Sequence, residues 1–156
     1  MEKIFIVDDD KDMRHLLSDI LKSEGYEIHT AESGKKALKE IDVIRPEIVL
    51  LDIRLPEMNG IEVLKEIKKL DESIIVIMLS AYGEIQNAVD AMKLGAFDYF
   101  TKPFHNEEII LDIKKALQTR HLEIEVASLS KKLENKGNNE ILIGESAQVK
   151  KILRQK

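Results

Sequence analysis

The feature that most constrains the fold is a rhythm of short apolar runs that recurs along the chain. The runs cover residues 4–7, 28–30, 48–51, 74–79 and 97–101. Their starts lie 24, 20, 26 and 23 residues apart, which leaves room for one helix and two short loops each time. Because the runs are nearly continuous in apolar residues and do not alternate, they predict strands buried on both faces of a parallel sheet.

The segments between the runs carry apolar residues at helical spacing. The predicted helix stripes are Met13, Leu16, Leu17, Ile20 and Leu21; Ala37, Leu38 and Ile41; Ile61, Leu64 and Ile67; Ile85, Ala88, Val89 and Met92; and Ile109, Ile110, Ile113 and Leu117. Five strand–helix units in a row predict an α/β fold, a doubly wound sandwich with right-handed crossovers. In such sheets, ligands bind at the carboxyl ends of the strands.

Composition excludes several classes of function. The 156 residues contain no cysteine, so disulfides, thiolate metal sites and thiol nucleophiles are absent. Residues 1–120 carry 17 basic and 24 acidic side chains, which disfavours binding to nucleic acid phosphates. The apolar runs are too short to span a bilayer, and the N-terminal sequence has no signal-peptide pattern. We therefore expect a cytoplasmic protein without membrane contact.

Polar side chains follow four of the predicted strands. They are Asp8, Asp9 and Asp10 after the first, Asp52 after the third, Ser80 after the fourth, and Thr101 and Lys102 after the fifth. Carboxylates gathered this closely repel one another unless a divalent cation or a side chain such as Lys102 offsets their charge. Oxygen ligands favour Mg²⁺ or Mn²⁺ over zinc. Such a site is equipped to accept a phosphoryl group.

Other interpretations of these residues remain open at this point. Asp10 is expected to be the N-cap of the first helix. A Mg²⁺-dependent hydrolase or nuclease with an acidic site at the strand ends is the alternative function.

The four histidines show no ligand spacing and are interpreted as surface or boundary residues. They are His15, His29, His105 and His121.

Four sequence pieces together resemble the receiver domain of two-component response regulators. They are residues 6–10 (IVDDD), 51–60 (LDIRLPEMNG), 79–82 (LSAY) and 98–104 (DYFTKPF). The resemblance covers residues 1–120 and implies a flavodoxin-like sheet of five parallel strands in the order 2-1-3-4-5. It also implies a protein that is not a stand-alone enzyme and that receives its phosphoryl group from a sensor histidine kinase.

The resemblance assigns a role to each matching residue. Asp52 would be the phosphoacceptor, with Lys102 and Ser80 contacting the phosphoryl oxygens. Asp8, Asp9, Asp52 and the backbone carbonyl of Arg54 would hold Mg²⁺ or Mn²⁺. Ser80 and Tyr99 would form the conformational switch, Arg54 and Tyr82 would tune the lifetime of the phosphate, and the Lys102–Pro103 bond would be cis.

The last predicted helix does not stop at residue 120. Its apolar stripe is replaced by Leu122, Val126, Leu129 and Leu133, whose spacing of 4, 3 and 4 is that of a two-heptad seam. The sequence therefore predicts a helical linker at 121–136 that forms a parallel coiled coil with a second chain. The alternative is a short amphipathic helix that folds back on its own receiver. A second candidate dimer surface combines the fourth helix, fifth strand and fifth helix.

Residues 137–156 begin with Gly137, which signals the end of a helix. The following segment resembles the start of the ATPase module in nitrogen-regulatory activators of sigma-54 RNA polymerase. This resemblance implies a truncated form of a longer transcription activator, which would reach the polymerase and DNA only through missing domains. The alternative is a disordered basic tail.

Overall fold

The computed structural model describes the backbone of residues 1–81 and 85–135, with side chains at 1–81 and 86–126. The elements in chain order are β1 (Lys3–Val7), α1 (Lys11–Ser23), β2 (Glu27–Ala31), α2 (Gly34–Ile44), β3 (Ile48–Asp52), α3 (Gly60–Leu70), β4 (Ile75–Ser80), α4 (Ile85–Lys93), β5 (Asp98–Thr101) and α5 (Asn106–Asn135). The chain divides into two units, Met1–Arg120 and His121–Lys156. In the part that is described, no helix is apolar over enough residues to cross a membrane.

The five strands form one parallel sheet in the order β2-β1-β3-β4-β5, which confirms the predicted fold. Strands β1, β3 and β4 are buried over nearly their whole length, because they occupy the interior of the sheet and helices cover both faces. Successive residues point to opposite faces, so Phe5 and Ile6 belong to two different apolar layers.

Helices α2, α3 and α4 cover one face of the sheet, and α1 and α5 cover the other. The first layer takes Ala37 and Ile41 from α2 and Ile67 from α3. The second takes Leu17 from α1 and Ile113 from α5. This doubly wound arrangement leaves the carboxyl ends of the strands exposed at one edge, where the loops carry the polar residues.

The buried faces of three helices differ from the predicted stripes. Leu16 of α1 is 46% exposed, because the buried residues of α1 are Leu17 and Leu21, with Met13 partly buried against the same layer. In α4 the small side chains Ala88 and Ala91 are buried, and Val89 and Met92 are each 42% exposed. In α5 the fully buried residues are Ile109, Ile113 and Ala116, whereas the predicted Ile110 and Leu117 are only partly buried. Apolar spacing alone cannot tell a small docking residue from a large exposed one.

Capping residues fix the starts of the helices that face the acidic edge. The carboxylate of Asp10 accepts hydrogen bonds from the backbone N–H groups of Asp12 and Met13, which confirms Asp10 as the N-cap of α1. Ser33 caps α2 and Asn59 caps α3 in the same way. These caps hold the loops that follow β1, β2 and β3 in defined positions beside the strand ends.

Candidate functional site

The carboxyl ends of β1, β3, β4 and β5 bring the predicted polar residues to one edge of the sheet. Asp8 directly follows β1, and Asp52 is the last residue of β3. Ser80 ends β4 opposite Thr101, the last residue of β5, so Lys102 begins the next loop beside them. The strand register therefore brings four segments that are far apart in the sequence together at one site.

Three carboxylates form the centre of this site. Oxygens of Asp8, Asp9 and Asp52 all lie within 4.8 Å of one another. Asp8 is completely buried and Asp52 is 6% exposed, whereas Asp9 lies at the surface. Among the residues that the structure describes, this is the one cluster of three or more acids or histidines that could hold a metal ion.

Lys102 supplies a positive charge to the cluster. Its ammonium group donates to Oδ2 of Asp8 at 2.8 Å and to Oδ2 of Asp52 at 3.4 Å. Burial acts to lower the pKa of Lys102, but the hydrogen bond and charge of Asp8, with those of Asp52, outweigh burial and raise the pKa above its ordinary value. Lys102 therefore remains an ammonium ion at neutral pH.

The single ammonium group does not offset all the negative charge. Burial, and then the charge of Asp8, raise the pKa of Asp52 to about 7, although Lys102 acts in the opposite direction. A carboxyl group with so high a pKa lacks sufficient positive charge around it when ionised. Three oxygen donors with an unmet demand for positive charge fit a hard divalent cation such as Mg²⁺ or Mn²⁺.

The remaining predicted residues lie around the cluster at different depths. Ser80 is buried, and its carbonyl accepts the backbone N–H of Lys102 at 2.7 Å. The backbone N–H of Arg54 donates to Oδ1 of Asp52 at 3.3 Å. Tyr99 is 39% exposed on β5. The predicted cis bond at Lys102–Pro103 is confirmed.

The structure brings none of the histidines into this cluster, and His29 pairs instead with Glu27 at 2.7 Å. Tyr82, residues 137–156 and the side chains of Leu129 and Leu133 lie outside the described residues. The predictions that involve them are not tested.

Two residues beside the site had no role assigned from the sequence: Arg14 was missed, and Gly60 was named only as part of the piece 51–60. The side chain of Arg14 donates from Nη1 to the carbonyl oxygen of Asp8 at 2.7 Å. Gly60 begins α3, and its backbone N–H donates to the carbonyl of Ile53 at 2.6 Å, directly against β3. The sequence signal for Arg14 was its place one helical turn after the N-cap Asp10, but this signal carries no information about side-chain reach.

Comparison with known proteins identifies the family to which this arrangement belongs. The family model described as response regulator receiver domain matches residues 4–114. The chain belongs to the response regulator receiver family. It is therefore a signalling module of a two-component system, and receiver domains of this family interact with sensor histidine kinases.

Individual relatives agree with this assignment. The chain is 41% identical over 133 residues to the regulatory protein AtoC of Escherichia coli, matching 85% of this chain and 29% of the relative. It is 45% identical over 116 residues to the sporulation initiation phosphotransferase F of Bacillus subtilis, matching 74% of this chain and 94% of the relative. The crystal structure of the receiver domain of NtrX from Brucella abortus is similar with a TM-score of 0.72 at 41% identity, covering 74% of this chain and 98% of that domain. The match thus spans less than a third of the length of AtoC but nearly the full length of the other two.

Proposed function

We propose that the chain is a phosphorylation-switched response regulator in which Asp52 accepts a phosphoryl group from a sensor histidine kinase. The observation that carries this proposal is the cluster of Asp8, Asp9 and Asp52 beside Lys102 at the strand ends. An oxygen of Asp52 forms the new P–O bond as the P–N bond of a phosphohistidine breaks. The imidazole takes the bonding electron pair and then a proton.

The residues around Asp52 have separate tasks in this proposal. Asp8, Asp9, Asp52 and the carbonyl of Arg54 hold Mg²⁺, which offsets negative charge on the carboxylates and phosphoryl oxygens. Lys102 contributes an ammonium group that already lies 3.4 Å from Asp52. Ser80 offers a hydroxyl at the end of β4, and Arg54 and Tyr82 set the lifetime of the phosphate.

The switch in this proposal follows from the added charge. A phosphoryl group on Asp52 attracts Lys102 and Ser80, and a movement of Ser80 draws Tyr99 inward from its exposed position on β5. The surface formed by α4, β5 and α5 then changes and alters which partner it binds. Three exposed side chains on this surface can make apolar contacts with a partner: Val89, Met92 and Tyr99.

Mass spectrometry after incubation with Mg²⁺ and acetyl phosphate tests the acceptor role. We expect the wild-type chain to gain one phosphoryl group and to lose this gain when the divalent cation is chelated. Asp52→Asn should gain none. Asp10→Asn is the matched control, because Asp10 lies in the same acidic run but caps α1, and asparagine caps equally well.

The outcome also separates the proposal from a Mg²⁺-dependent hydrolase or nuclease. Steady turnover of phosphodiesters without a retained phosphoryl group would contradict the acceptor role and favour the hydrolase. Labelling of Asp52→Asn at the wild-type level would place the acceptor elsewhere.

We further propose that residues 121–136 form a homodimeric coiled coil that links the receiver to the ATPase domain of a sigma-54-dependent activator. Helix α5 continues to Asn135, and within the second unit Leu122 and Val126 are 59% and 40% exposed. Both belong to the predicted seam, which continues to Leu129 and Leu133. The similarity to AtoC, of which the match covers only 29%, supports an output domain beyond this segment.

Two lysine substitutions on the linker test the seam by analytical ultracentrifugation. Val126→Lys places a charge in the seam and should weaken dimerisation by about tenfold or more. Ile124→Lys is the control, because Ile124 is similarly exposed, at 46%, but lies outside the seam. Equal effects of the two substitutions, or a monomeric wild-type chain at all concentrations, would contradict the coiled coil.

A further inference from the structure

Asp8 is held from four directions. Its backbone N–H donates to the carbonyl of Ala31 at 3.2 Å, and its Oδ1 accepts the backbone N–H of Asp10 at 2.9 Å. Its Oδ2 accepts the ammonium group of Lys102 at 2.8 Å. Its carbonyl oxygen accepts Nη1 of Arg14 at 2.7 Å. Each polar group of this buried residue therefore has a defined partner.

The bond from Arg14 differs from the other three in its acceptor, which is the backbone carbonyl oxygen of Asp8. The carbonyl of Asp8 belongs to the peptide group that joins Asp8 to Asp9. The orientation of this peptide group therefore sets the position of Asp9. A guanidinium donor makes a charge-assisted hydrogen bond, which is short and strongly directional. Arg14 is fixed in turn by its place in α1, whose start is capped by Asp10. The contact thus ties the peptide between two carboxylate-bearing residues to a helix.

We propose that Arg14 is a positioning residue of the acidic site, which holds the Asp8–Asp9 peptide so that both carboxylates face Asp52. This inference rests on the proposed phosphoacceptor function. Arg14 acts through Asp8 and Asp9, because its bond is to the backbone carbonyl of Asp8 and engages neither carboxylate oxygen of that residue. A displacement of about 1 Å in such a group is enough to slow a reaction up to about a hundredfold.

The surroundings of Arg14 separate this role from a contribution to core packing. Its side chain is half-buried and borders a cavity of about 330 Å³ between α1, β2 and the start of α2. Lys22 of α1 and Lys36 of α2 border the same cavity, whose polar lining suits water. A shorter polar side chain at position 14 would leave space that water can fill, and the apolar core would keep its contacts.

The rate of phosphoryl incorporation from acetyl phosphate, followed by mass spectrometry with Mg²⁺ in excess, tests the proposal. Arg14→Gln should slow incorporation about tenfold. Lys22→Gln removes the same charge from the same cavity without a contact to Asp8, and it should react at the wild-type rate. Arg14→Lys keeps a cationic donor and should recover part of the rate.

A second measurement uses the metal-free protein and does not depend on activity. In NMR spectra, Arg14→Gln should shift the backbone amides of Asp9 and Asp10 and speed their hydrogen exchange, whereas Lys22→Gln should leave them unchanged. Melting temperatures of all three variants should lie close to that of the wild type.

The outcomes distinguish failure of this inference from failure of the proposed function. A wild-type chain that takes no phosphoryl group would remove the function on which the inference rests. A wild-type chain that is labelled, with Arg14→Gln labelled equally fast, would overturn the positioning role alone. Equal slowing by Arg14→Gln and Lys22→Gln would also overturn that role, because it would show a general effect of charge.

Discussion

Replacing Gly60 by alanine is expected to destabilise the receiver unit by about 3 kcal/mol, because an added Cβ has no room. An ideal Cβ at this position would lie 2.7 Å from Cα of Ile53 and would overlap the carbonyl oxygen of Asp52. Both neighbours are backbone atoms of β3 or of the residue that follows it, so neither can rotate away. Relief of the overlap requires α3 to move away from the strand that carries Asp52.

Urea titration followed by circular dichroism would measure this loss of stability. The expected loss corresponds to a fall in the melting temperature of roughly 10 °C. Gly25→Ala is the control, because Gly25 has a φ of 95° but nothing within 4 Å of an added Cβ. Its cost should be that of the left-handed backbone conformation alone, about 1–2 kcal/mol. A loss at Gly60 no larger than that at Gly25 would show that β3 and α3 are not rigidly packed at this point.

The five strands and the membership of the acidic cluster could be predicted from the residues because they depend on few degrees of freedom, whereas the strand order was implied by the resemblance to the receiver domain. Near-continuous apolar runs indicate which segments are strands, and a parallel sheet then places every strand end at the same edge. Asp8 and Asp52 meet because β1 and β3 are neighbours and both end at that edge, although 44 positions separate the two residues in the sequence. The side-chain types, three acids with a lysine, then indicate the chemistry.

Contacts that depend on helix rotation and side-chain reach could not be predicted in this way. The bond from Arg14 to the carbonyl of Asp8 requires a particular rotation of α1 and an extended side chain. In α4 the buried Ala88 and Ala91 allow close packing, whereas the larger Val89 and Met92 are exposed. A sequence pattern ranks residues by their apolar character, so it assigned the wrong face to Val89 and Met92.

The carboxyl group of Asp112 is a second feature that the sequence pattern did not reveal. Asp112 lies on α5 among the docking residues, is 8% exposed, and its Oδ2 has no hydrogen-bond partner. Burial, and then the hydrogen bond and charge of Asp98, raise its pKa to about 7, against a weaker opposite effect of Lys115. A helical stripe that includes Ile109 and Ile113 would place an apolar residue at this position.

Asp112→Asn is therefore expected to stabilise the receiver unit at alkaline pH by about 2–3 kcal/mol. In the wild type, the folded state holds a proton on Asp112 up to about pH 7, whereas the unfolded chain releases it near the ordinary value of 3.8. The folded state thus binds more protons over this range. The contribution of protonated Asp112 to the free energy of unfolding is fully present below the unfolded pKa. It decreases as the pH rises and is lost above the folded pKa.

Melting temperatures of the wild type and of Asp112→Asn, measured from about pH 4.5 to about pH 8, would test this dependence. The asparagine side chain has nearly the same shape, cannot ionise and can donate to Asp98, so its advantage should be small in acid and grow with pH. Asp19→Asn is the control, because it makes the same chemical change at an exposed position of α1, outside both apolar layers. A constant difference between wild type and Asp112→Asn across this range would mean that Asp112 is already ionised in the folded protein. The carboxylate would then have to find positive charge or water that the packing of α5 against the sheet does not supply.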